Sequence, residues 1–204
     1  MTTCLIVLQL RVGTMANFVY LLADEESKEA LVVDSGWETE PVARAAVGAG
    51  ARVKYVVATH EHFDHVSTLD ELAGGLGAKV VAHEASPVRC DLRVVGGSEL
   101  LLGKSRVRVL HTPGHTEDSI CLYDGREVFT GDTLFVGAIG RFDPSQAEQM
   151  YRSLYEVILR LPEETEMYPG HDYGEVPHRS LKEEKKANPY LAYADLRSFV
   201  SFFS

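Results

Sequence analysis

Residues 53–65 read VKYVVATHEHFDH, and this stretch carries most of the information about the fold. Residues 53–58 form a short run of apolar and β-branched side chains, which predicts a buried strand. The strand is followed at once by three imidazoles and two carboxylates, in residues 60–65. A rigid strand that ends in such side chains predicts a metal site at its end.

Similar side chains follow three other predicted strands. His115 comes after the strand at residues 107–110, Asp132 after residues 127–130, and His171 after residues 166–168. Because strand ends of one sheet converge on one edge, we expect these loops to deliver ligands to one place. The candidate metal ligands are therefore His60, His62, Asp64, His65, His115, Asp132 and His171.

The types of these residues indicate which metal and which kind of site to expect. Neutral imidazole and carboxylate suit divalent zinc, manganese or iron. A site without thiolate, and with more ligands than one ion needs, favours an open or paired centre over a closed structural one. Two ions that share a carboxylate can hold a hydroxide and supply a nucleophile near neutral pH. Scattered surface histidines are the alternative, and the spacing disfavours it.

The remaining pattern predicts an α+β protein. Further strands are expected at residues 5–10, 18–22, 30–33, 79–82 and 120–123. Helices are expected at residues 38–47, 67–72, 146–160, 181–187 and 190–203. This order predicts an αββα sandwich, in which two mixed sheets pack face to face with helices outside. The length of 204 residues suits one domain, residues 1–204.

Composition limits the partners that we expect. The formal net charge is −10, which provides no basic surface for nucleic acid or an anionic membrane. Cys4, Cys90 and Cys121 are an odd number of cysteines at irregular spacing, which predicts a reducing compartment. The N-terminus has no basic region before its apolar run, so we expect a cytoplasmic protein with a small-molecule substrate. A homodimer is compatible with the sequence.

The ligand motif resembles that of the metallo-β-lactamase superfamily, and within it the glyoxalase II (hydroxyacylglutathione hydrolase) and persulfide dioxygenase branch. The similarity extends from residues 17–21 and 32–34 to the Glu183-Glu184 and Asn188-Pro189 pairs near the C-terminus. It implies the metallo-β-lactamase sandwich and two divalent metal ions, of which zinc is favoured and iron or manganese are alternatives.

The resemblance also implies a role for each residue of the motif. His60, His62 and His115 would bind the first ion. Asp64, His65 and His171 would bind the second, and Asp132 would bridge the two. Asp64 and Asp132 would act as catalytic residues together with the metal-held hydroxide. Asp34 matches a position that supports the ligand loop from behind.

Two segments favour a hydrolase. Residues 131–137 and 147–151 are similar to glyoxalase II, as is the Gly170–Tyr173 segment. In that family the residues that match Arg141 and Tyr173 contact glutathione, so we expect these two to bind the substrate, a glutathione or other thiol conjugate. The favoured reaction is hydrolysis of a thioester or ester by attack of a metal-bridging hydroxide.

Other segments favour an oxidoreductase. Residues 140–143 and the C-terminal Asn188-Pro189 pair are more similar to persulfide dioxygenases. His60, His115 and Asp132 would then form the two-histidine, one-carboxylate triad of a mononuclear non-haem iron enzyme. A nucleic-acid-processing metallohydrolase is a third alternative, which the negative net charge disfavours.

Overall fold

The structure is a computed structural model that describes residues 5–203. Within these residues the strands form two six-stranded sheets and a two-stranded ribbon. The first sheet has the order β1 (Leu5–Val12), β2 (Asn17–Asp24), β3 (Glu29–Val33), β4 (Arg52–Val57), β5 (Lys79–His83), β6 (Leu92–Val94). The second has the order β14 (Arg179–Ser180), β13 (Glu166–Pro169), β10 (Glu127–Gly131), β9 (Ile120–Tyr123), β8 (Ser105–His111), β7 (Glu99–Leu102). The ribbon pairs β11 (Leu134–Phe135) with β12 (Ala138–Ile139).

Both sheets are mixed, as the sequence predicts. In the first sheet β1, β2 and β3 are antiparallel neighbours, whereas β3 to β6 run parallel. In the second sheet only β10 and β13 are parallel neighbours among the described strands. Parallel neighbours point their carboxyl ends to the same edge, which places the loops after β4 and β5, and after β10 and β13, side by side.

The helices pack on the outer faces of the sheets. They are α1 (Thr39–Gly48), α2 (Phe63–Val66), α3 (Leu69–Leu76), α4 (Ala147–Tyr151), α5 (Leu181–Ala187) and α6 (Leu196–Phe203). Short 3₁₀ turns lie at Pro144–Gln146, Ile158–Arg160 and Pro189–Leu191, and a π-helical segment lies at Arg152–Val157.

Strand β2 shows how the layers arise, because all eight of its residues are buried. Phe18, Tyr20 and Leu22 belong to the core between the two sheets. Val19 and Leu21 alternate with them and belong to the core between the first sheet and α1 and α3. A third core lies between the second sheet and the helices that follow residue 146. These three cores separate four layers, which confirms the αββα sandwich.

The structure adds strands that the sequence pattern missed. Strand β6 has only three residues, too few for a period of two to be recognised. Strand β7 joins β8 through a tight turn at Gly103, and its alternating burial covers only four residues. Both strands lie at sheet edges.

The predicted helix at residues 146–160 is wrong as a single α-helix. The chain instead passes from a 3₁₀ turn through α4 into the π-helical segment and a second 3₁₀ turn. Met150, Leu154 and Ile158 are all fully buried at a spacing of four residues. An α-helix has 3.6 residues per turn, so a wider π turn keeps side chains with this spacing in line.

Two other helix predictions needed new bounds. The helix predicted at residues 67–72 is α3, which contains Gly74 and Gly75 and ends at Gly77 with φ of 64°. The helix predicted at residues 190–203 begins later, as α6. Asp195 precedes α6, and its side chain accepts a hydrogen bond from the Ser198 amide, which caps the new helix.

Two predictions from composition can be compared with the structure in part. Cys90 and Cys121 are free thiols, and Cys4 lies outside the described residues. Among residues 5–203, no helix has both the length and the apolar character that crossing a membrane requires.

Candidate metal centre

The seven candidate ligands meet at one end of the sandwich. His60, His62, Asp64 and His65 follow β4 of the first sheet. His115, Asp132 and His171 follow β8, β10 and β13 of the second sheet. The expectation that the strand ends of a single sheet would deliver the ligands was therefore incomplete, because the two sheets share the centre between them.

The ligand loop is supported by Asp34, which is 2% exposed. Its carboxylate accepts hydrogen bonds from the Thr59 amide at 2.7 Å, the Thr59 hydroxyl at 2.9 Å and His65 Nδ1 at 2.8 Å. Asp34 has a φ of 59°, a left-handed conformation that costs a non-glycine residue about 1 kcal/mol or more. This conformation aims the carboxylate at the loop, and strain of this kind is frequent at functional sites.

Four of the histidines have a defined tautomer, because their Nδ1 atoms face oxygen acceptors. The Thr59 hydroxyl already donates to Asp34, so it must accept from His60. The acceptors are Thr59 Oγ1 for His60 at 3.1 Å, Asp34 for His65 at 2.8 Å, the Arg141 carbonyl for His115 at 2.6 Å and the Met15 carbonyl for His171 at 3.0 Å. Each Nδ1 therefore carries a proton, which leaves Nε2 as the atom of each ring that can bind a metal ion.

Three of these Nε2 atoms face a nitrogen of another imidazole ring. His65 Nε2 lies 3.1 Å from His171 Nε2, and His115 Nε2 lies 2.9 Å from His62 Nδ1. His60 Nε2 is buried and has no hydrogen-bond partner among the described residues. The Nε2 atoms of His65 and His171 need a proton or a cation between them at this distance, and the unpaired buried acceptor of His60 is costly. The arrangement fits cations bound between the rings.

Two carboxylates complete the cluster. Asp132 Oδ1 lies 3.3 Å from His65 Nε2, and its Oδ2 lies 3.4 Å from His171 Nε2 and 3.7 Å from His115 Nε2. Asp64 Oδ2 lies 3.4 Å from His65 Nε2 and 3.3 Å from His171 Nε2. Asp132 thus contacts three histidines of the cluster, His65, His115 and His171, whereas Asp64 contacts only His65 and His171.

The charges of these groups depend on each other. Burial alone would raise the pKa of Asp132, but His65 and His171 beside it hold the pKa well below its usual value. Burial would lower the pKa of His171, yet hydrogen bonds to Asp132 and Asp64 raise it to about 9. Burial lowers the pKa of His60 and keeps its ring neutral. The metal-free cluster therefore holds protons that a divalent cation would displace.

The ligand atoms fall into three groups, each compact enough for one ion. They are His60 with His62 and His115, His60 with His65 and Asp132, and Asp64 with His65 and His171. Within each group the ligand atoms lie within 4.8 Å of one another. Imidazole and carboxylate donors at this spacing suit divalent zinc, iron or manganese.

Glycines that the sequence analysis overlooked make room for Asp132. A Cβ atom at Gly140 would overlap the Asp132 carbonyl oxygen and lie 3.3 Å from His115 Nδ1. A Cβ atom at Gly170 would lie 2.5 Å from Asp132 Oδ1. The sequence shows that one glycine precedes His171 and another precedes Arg141. It does not show which group of the protein approaches each of them.

The two candidate substrate residues lie beside the cluster. The Tyr173 ring is 57% exposed and stacks on the His171 ring, with centroids 4.5 Å apart and an interplanar angle of 8°. Arg141 holds His115 through its carbonyl, and its side chain is exposed. Within residues 5–203 Arg141 forms no ion pair, and Asp143 instead accepts hydrogen bonds from Ser145. The Arg141 guanidinium is therefore available to a ligand.

Cavities adjoin both of these residues. One of about 360 Å³ is lined by Val136, Tyr173 and Arg179 among others. Another of about 250 Å³ is lined by Arg141, Phe142 and Phe203 among others. The segment that follows Asp132, residues 136–142, contributes to the walls of both cavities.

Comparison with known proteins identifies the family. The model of the metallo-beta-lactamase superfamily matches residues 12–171, a range that contains all seven candidate ligands. The chain belongs to the metallo-β-lactamase superfamily. It is thus a metal-dependent enzyme of this superfamily, with the fold that the resemblance implied.

Relatives within the metallo-β-lactamase superfamily include enzymes of two kinds. The human mitochondrial persulfide dioxygenase ETHE1 is 35% identical over 181 residues, 86% of this chain and 71% of that protein. The cytoplasmic hydroxyacylglutathione hydrolase of Arabidopsis thaliana is 39% identical over 166 residues, 77% of this chain and 64% of that protein. The crystal structure of ETHE1 from Myxococcus xanthus aligns with a TM-score of 0.90 and 34% identity, covering 97% of this chain and 89% of that chain. These similarities confirm the branch that the motif indicated.

Proposed function

We propose that the protein is a two-metal hydrolase that cleaves a thioester or related ester. The observation that supports this best is that hydrogen bonds fix the histidine rings in both halves of the ligand cluster. His60 and His115 on one side, and His65 and His171 on the other, have their Nδ1 protons held by oxygen acceptors. A mononuclear enzyme needs this support on one side only.

The contacts suggest how the ligands divide. His60, His62 and His115 would hold the first ion, and Asp64, His65 and His171 the second. Asp132 would bridge the ions, because its two oxygens lie near histidines of both groups. Zinc is the favoured ion, with iron or manganese as alternatives.

When bound, paired divalent ions lower the pKa of water and polarise a carbonyl. The residues of the chain would supply position and proton transfer. Burial acts to raise the pKa of Asp132 and of Asp64, but neighbouring histidines keep both lowered, so both side chains would be ionised and able to accept a hydrogen bond from a water. Tyr173 and Arg141 would bind the thiol side of a small anionic substrate such as a glutathione or other thiol conjugate. A nucleic-acid substrate, and a location other than the cytoplasm, stay disfavoured by composition.

Persulfide oxidation is the second candidate. The similarity to human ETHE1, described as a persulfide dioxygenase, over 86% of this chain favours it. In that case His60, His115 and Asp132 would hold a single iron ion, which leaves positions for oxygen and a persulfide sulfur.

One pair of measurements separates the two candidates. Protein loaded with zinc or manganese should hydrolyse an acyl-glutathione or a simpler thioester without consuming oxygen. Protein loaded with ferrous iron is then tested on an oxygen electrode with glutathione persulfide. Rapid uptake with formation of sulfite, and no thioester cleavage with any metal, would overturn the hydrolase proposal.

Replacing His171 by alanine should reduce the bound metal from two ions to one. The variant removes a ligand of the second group and leaves His60, His62 and His115 unchanged. Metal analysis after saturation and desalting measures the occupancy. His178→Ala is the matched control, because His178 pairs with Glu166 at 2.6 Å and is no member of the cluster. Two ions in His171→Ala would contradict the assignment.

Replacing Arg141 by alanine should raise KM for an anionic thioester by about 10-fold, the worth of a hydrogen bond to a charged group. The kcat should change little, which is the pattern of lost uniform binding. The Arg141 carbonyl, which orients His115, is retained in the variant. Arg160→Ala, at an exposed arginine outside the site, serves as the control. A large fall in kcat at constant KM would place Arg141 at the reacting centre.

A further inference from the structure

The turn between β1 and β2 (residues 13–16) reaches the metal centre together with Asn17, the first residue of β2. Asn17 is 1% exposed. Its Nδ2 donates to Asp64 Oδ2 at 2.8 Å and to the Asp64 carbonyl at 3.2 Å. The oxygen that receives the first bond is the one that faces His65 and His171. Asn17 therefore holds the ligand oxygen of Asp64 directly.

Trp37 determines which way the Asn17 amide points. The indole Nε1 donates to Asn17 Oδ1 at 3.0 Å. An indole N–H can only donate, so the amide oxygen must face Trp37 and the NH₂ group must face Asp64. The reversed amide would place two donors together and two acceptors together. The orientation of Asn17 thus follows from chemistry as well as from the coordinates.

Trp37 packs between the turn and α2, the short helix that contains Asp64 and His65. A Cβ atom at Gly13 would lie 2.7 Å from Trp37 Cγ, so the indole packs directly on the backbone of the turn. On its other side Trp37 contacts the Phe63 ring edge to face, with centroids 5.3 Å apart. Phe63 precedes Asp64 in the sequence. The position of Trp37 therefore links the turn to Asp64 by packing as well as by hydrogen bonds.

The backbone of the same turn holds His171. The Met15 carbonyl accepts from His171 Nδ1 at 3.0 Å. The Asp172 amide donates to the Ala16 carbonyl at 2.8 Å, and Asn17 forms an antiparallel bridge with His171. Ala16 has a φ of 58°, the left-handed conformation that brings these carbonyls onto His171.

We infer that residues 13–17 and Trp37 position the second metal site selectively, and so set the affinity for the second ion. Within residues 5–203, the hydrogen bonds of this unit to the cluster go to Asp64 and His171. The first group, His60, His62 and His115, receives none of them. This inference rests on the two-ion arrangement of the proposed function. It names Asn17 and Trp37 as positioning residues that decide whether the chain holds one ion or two.

The test is stepwise zinc binding to metal-free protein, measured by competition with a chromophoric chelator. Asn17→Ala should weaken the binding of the second ion by about 10- to 100-fold, the usual effect of losing a partner of a ligand. The first ion should bind as in the wild type, which also shows that the variant is folded. Gln9→Ala is the control, because it also removes a side-chain amide, but one that donates to the Tyr20 hydroxyl and the Pro177 carbonyl and not to the cluster.

A double-mutant cycle tests whether Trp37 acts through Asn17. Trp37→Phe keeps an aromatic ring but removes the indole donor, and should weaken the second ion less than Asn17→Ala does. In the Asn17→Ala background, Trp37→Phe should have little further effect, since the amide it orients is gone. Additive effects would show that Trp37 acts by packing, and would overturn the inference that it acts by orienting the Asn17 amide.

The outcomes distinguish the inference from the proposed function. Two ions in the wild type with unchanged second-ion affinity in Asn17→Ala would overturn the inference alone. Equal weakening of both ions would also overturn it, because the effect would not be selective. A wild type that binds only one zinc ion at saturation would overturn the two-metal hydrolase, and the inference with it.

Discussion

Replacing Asp132 by alanine should remove both ions and lower kcat/KM for thioester hydrolysis by more than about 100-fold. Loss of a mere outer partner of a ligand already costs about 10- to 100-fold. Asp132 contacts His65, His115 and His171, so its removal affects both groups of ligands. His171→Ala, by contrast, should retain one ion. The comparison of the two variants therefore tests the bridging role.

Asp132→Asn is the informative control. It keeps the size of the side chain and one oxygen acceptor, but it removes the negative charge that His65 and His171 face. We expect intermediate metal affinity and activity well below the wild type. Metal content and kcat/KM are measured on the same preparations. Full occupancy and full activity in Asp132→Ala would exclude a bridging carboxylate at this position.

Replacing Asp34 by alanine should destabilise the metal-free protein by about 3 to 5 kcal/mol, the range for breaking a buried polar pair. The variant leaves the Thr59 amide and hydroxyl and His65 Nδ1 buried without their acceptor. It also places alanine at a φ of 59°, which asparagine and aspartate tolerate better. Urea unfolding of the metal-free protein measures the free energy of unfolding.

Asp34→Asn separates packing from proton position. Asparagine fits the backbone, and its oxygen can still accept from the Thr59 amide. Its NH₂ group, however, cannot accept the proton of His65 Nδ1, so we expect His65 to carry its proton on Nε2 instead. A proton on His65 Nε2 would block the atom that the second ion needs as a ligand. Asp34→Asn should thus fold nearly as stably as the wild type but bind the second ion weakly. Unchanged zinc affinity in this variant would exclude the proposed role of Asp34 in setting the tautomer.

The sequence allowed much of the cluster to be predicted. Imidazoles and carboxylates placed directly after apolar strands are a local pattern, since the strand and the ligand are neighbours in the chain. The structure brings all seven of these side chains together. The proximity of Asp34 to the ligand loop was likewise expected, but only through the resemblance to the family.

The hydrogen bonds that orient the candidate ligands could not be predicted from the sequence. The Arg141 carbonyl, the Met15 carbonyl and the Asn17 amide lie far along the chain from the ligands they hold, and backbone carbonyls carry no sequence signal at all. Gly140 and Gly170 are visible as glycines, yet only the fold shows that Asp132 is the group they approach.

What the sequence alone determined is therefore the set of candidate ligands and the layered α+β architecture, because both follow from periodicity and residue type over short stretches. Tertiary structure decided that two sheets, rather than one, supply the candidate ligands. It also decided that residues 152–157 form a π-helical segment, which keeps Met150, Leu154 and Ile158 on one buried face. Tertiary structure also decided which ring nitrogen of His60, His65, His115 and His171 is free to bind a metal ion. These features depend on contacts between segments distant in the chain, and such contacts form only when the sheets pack together.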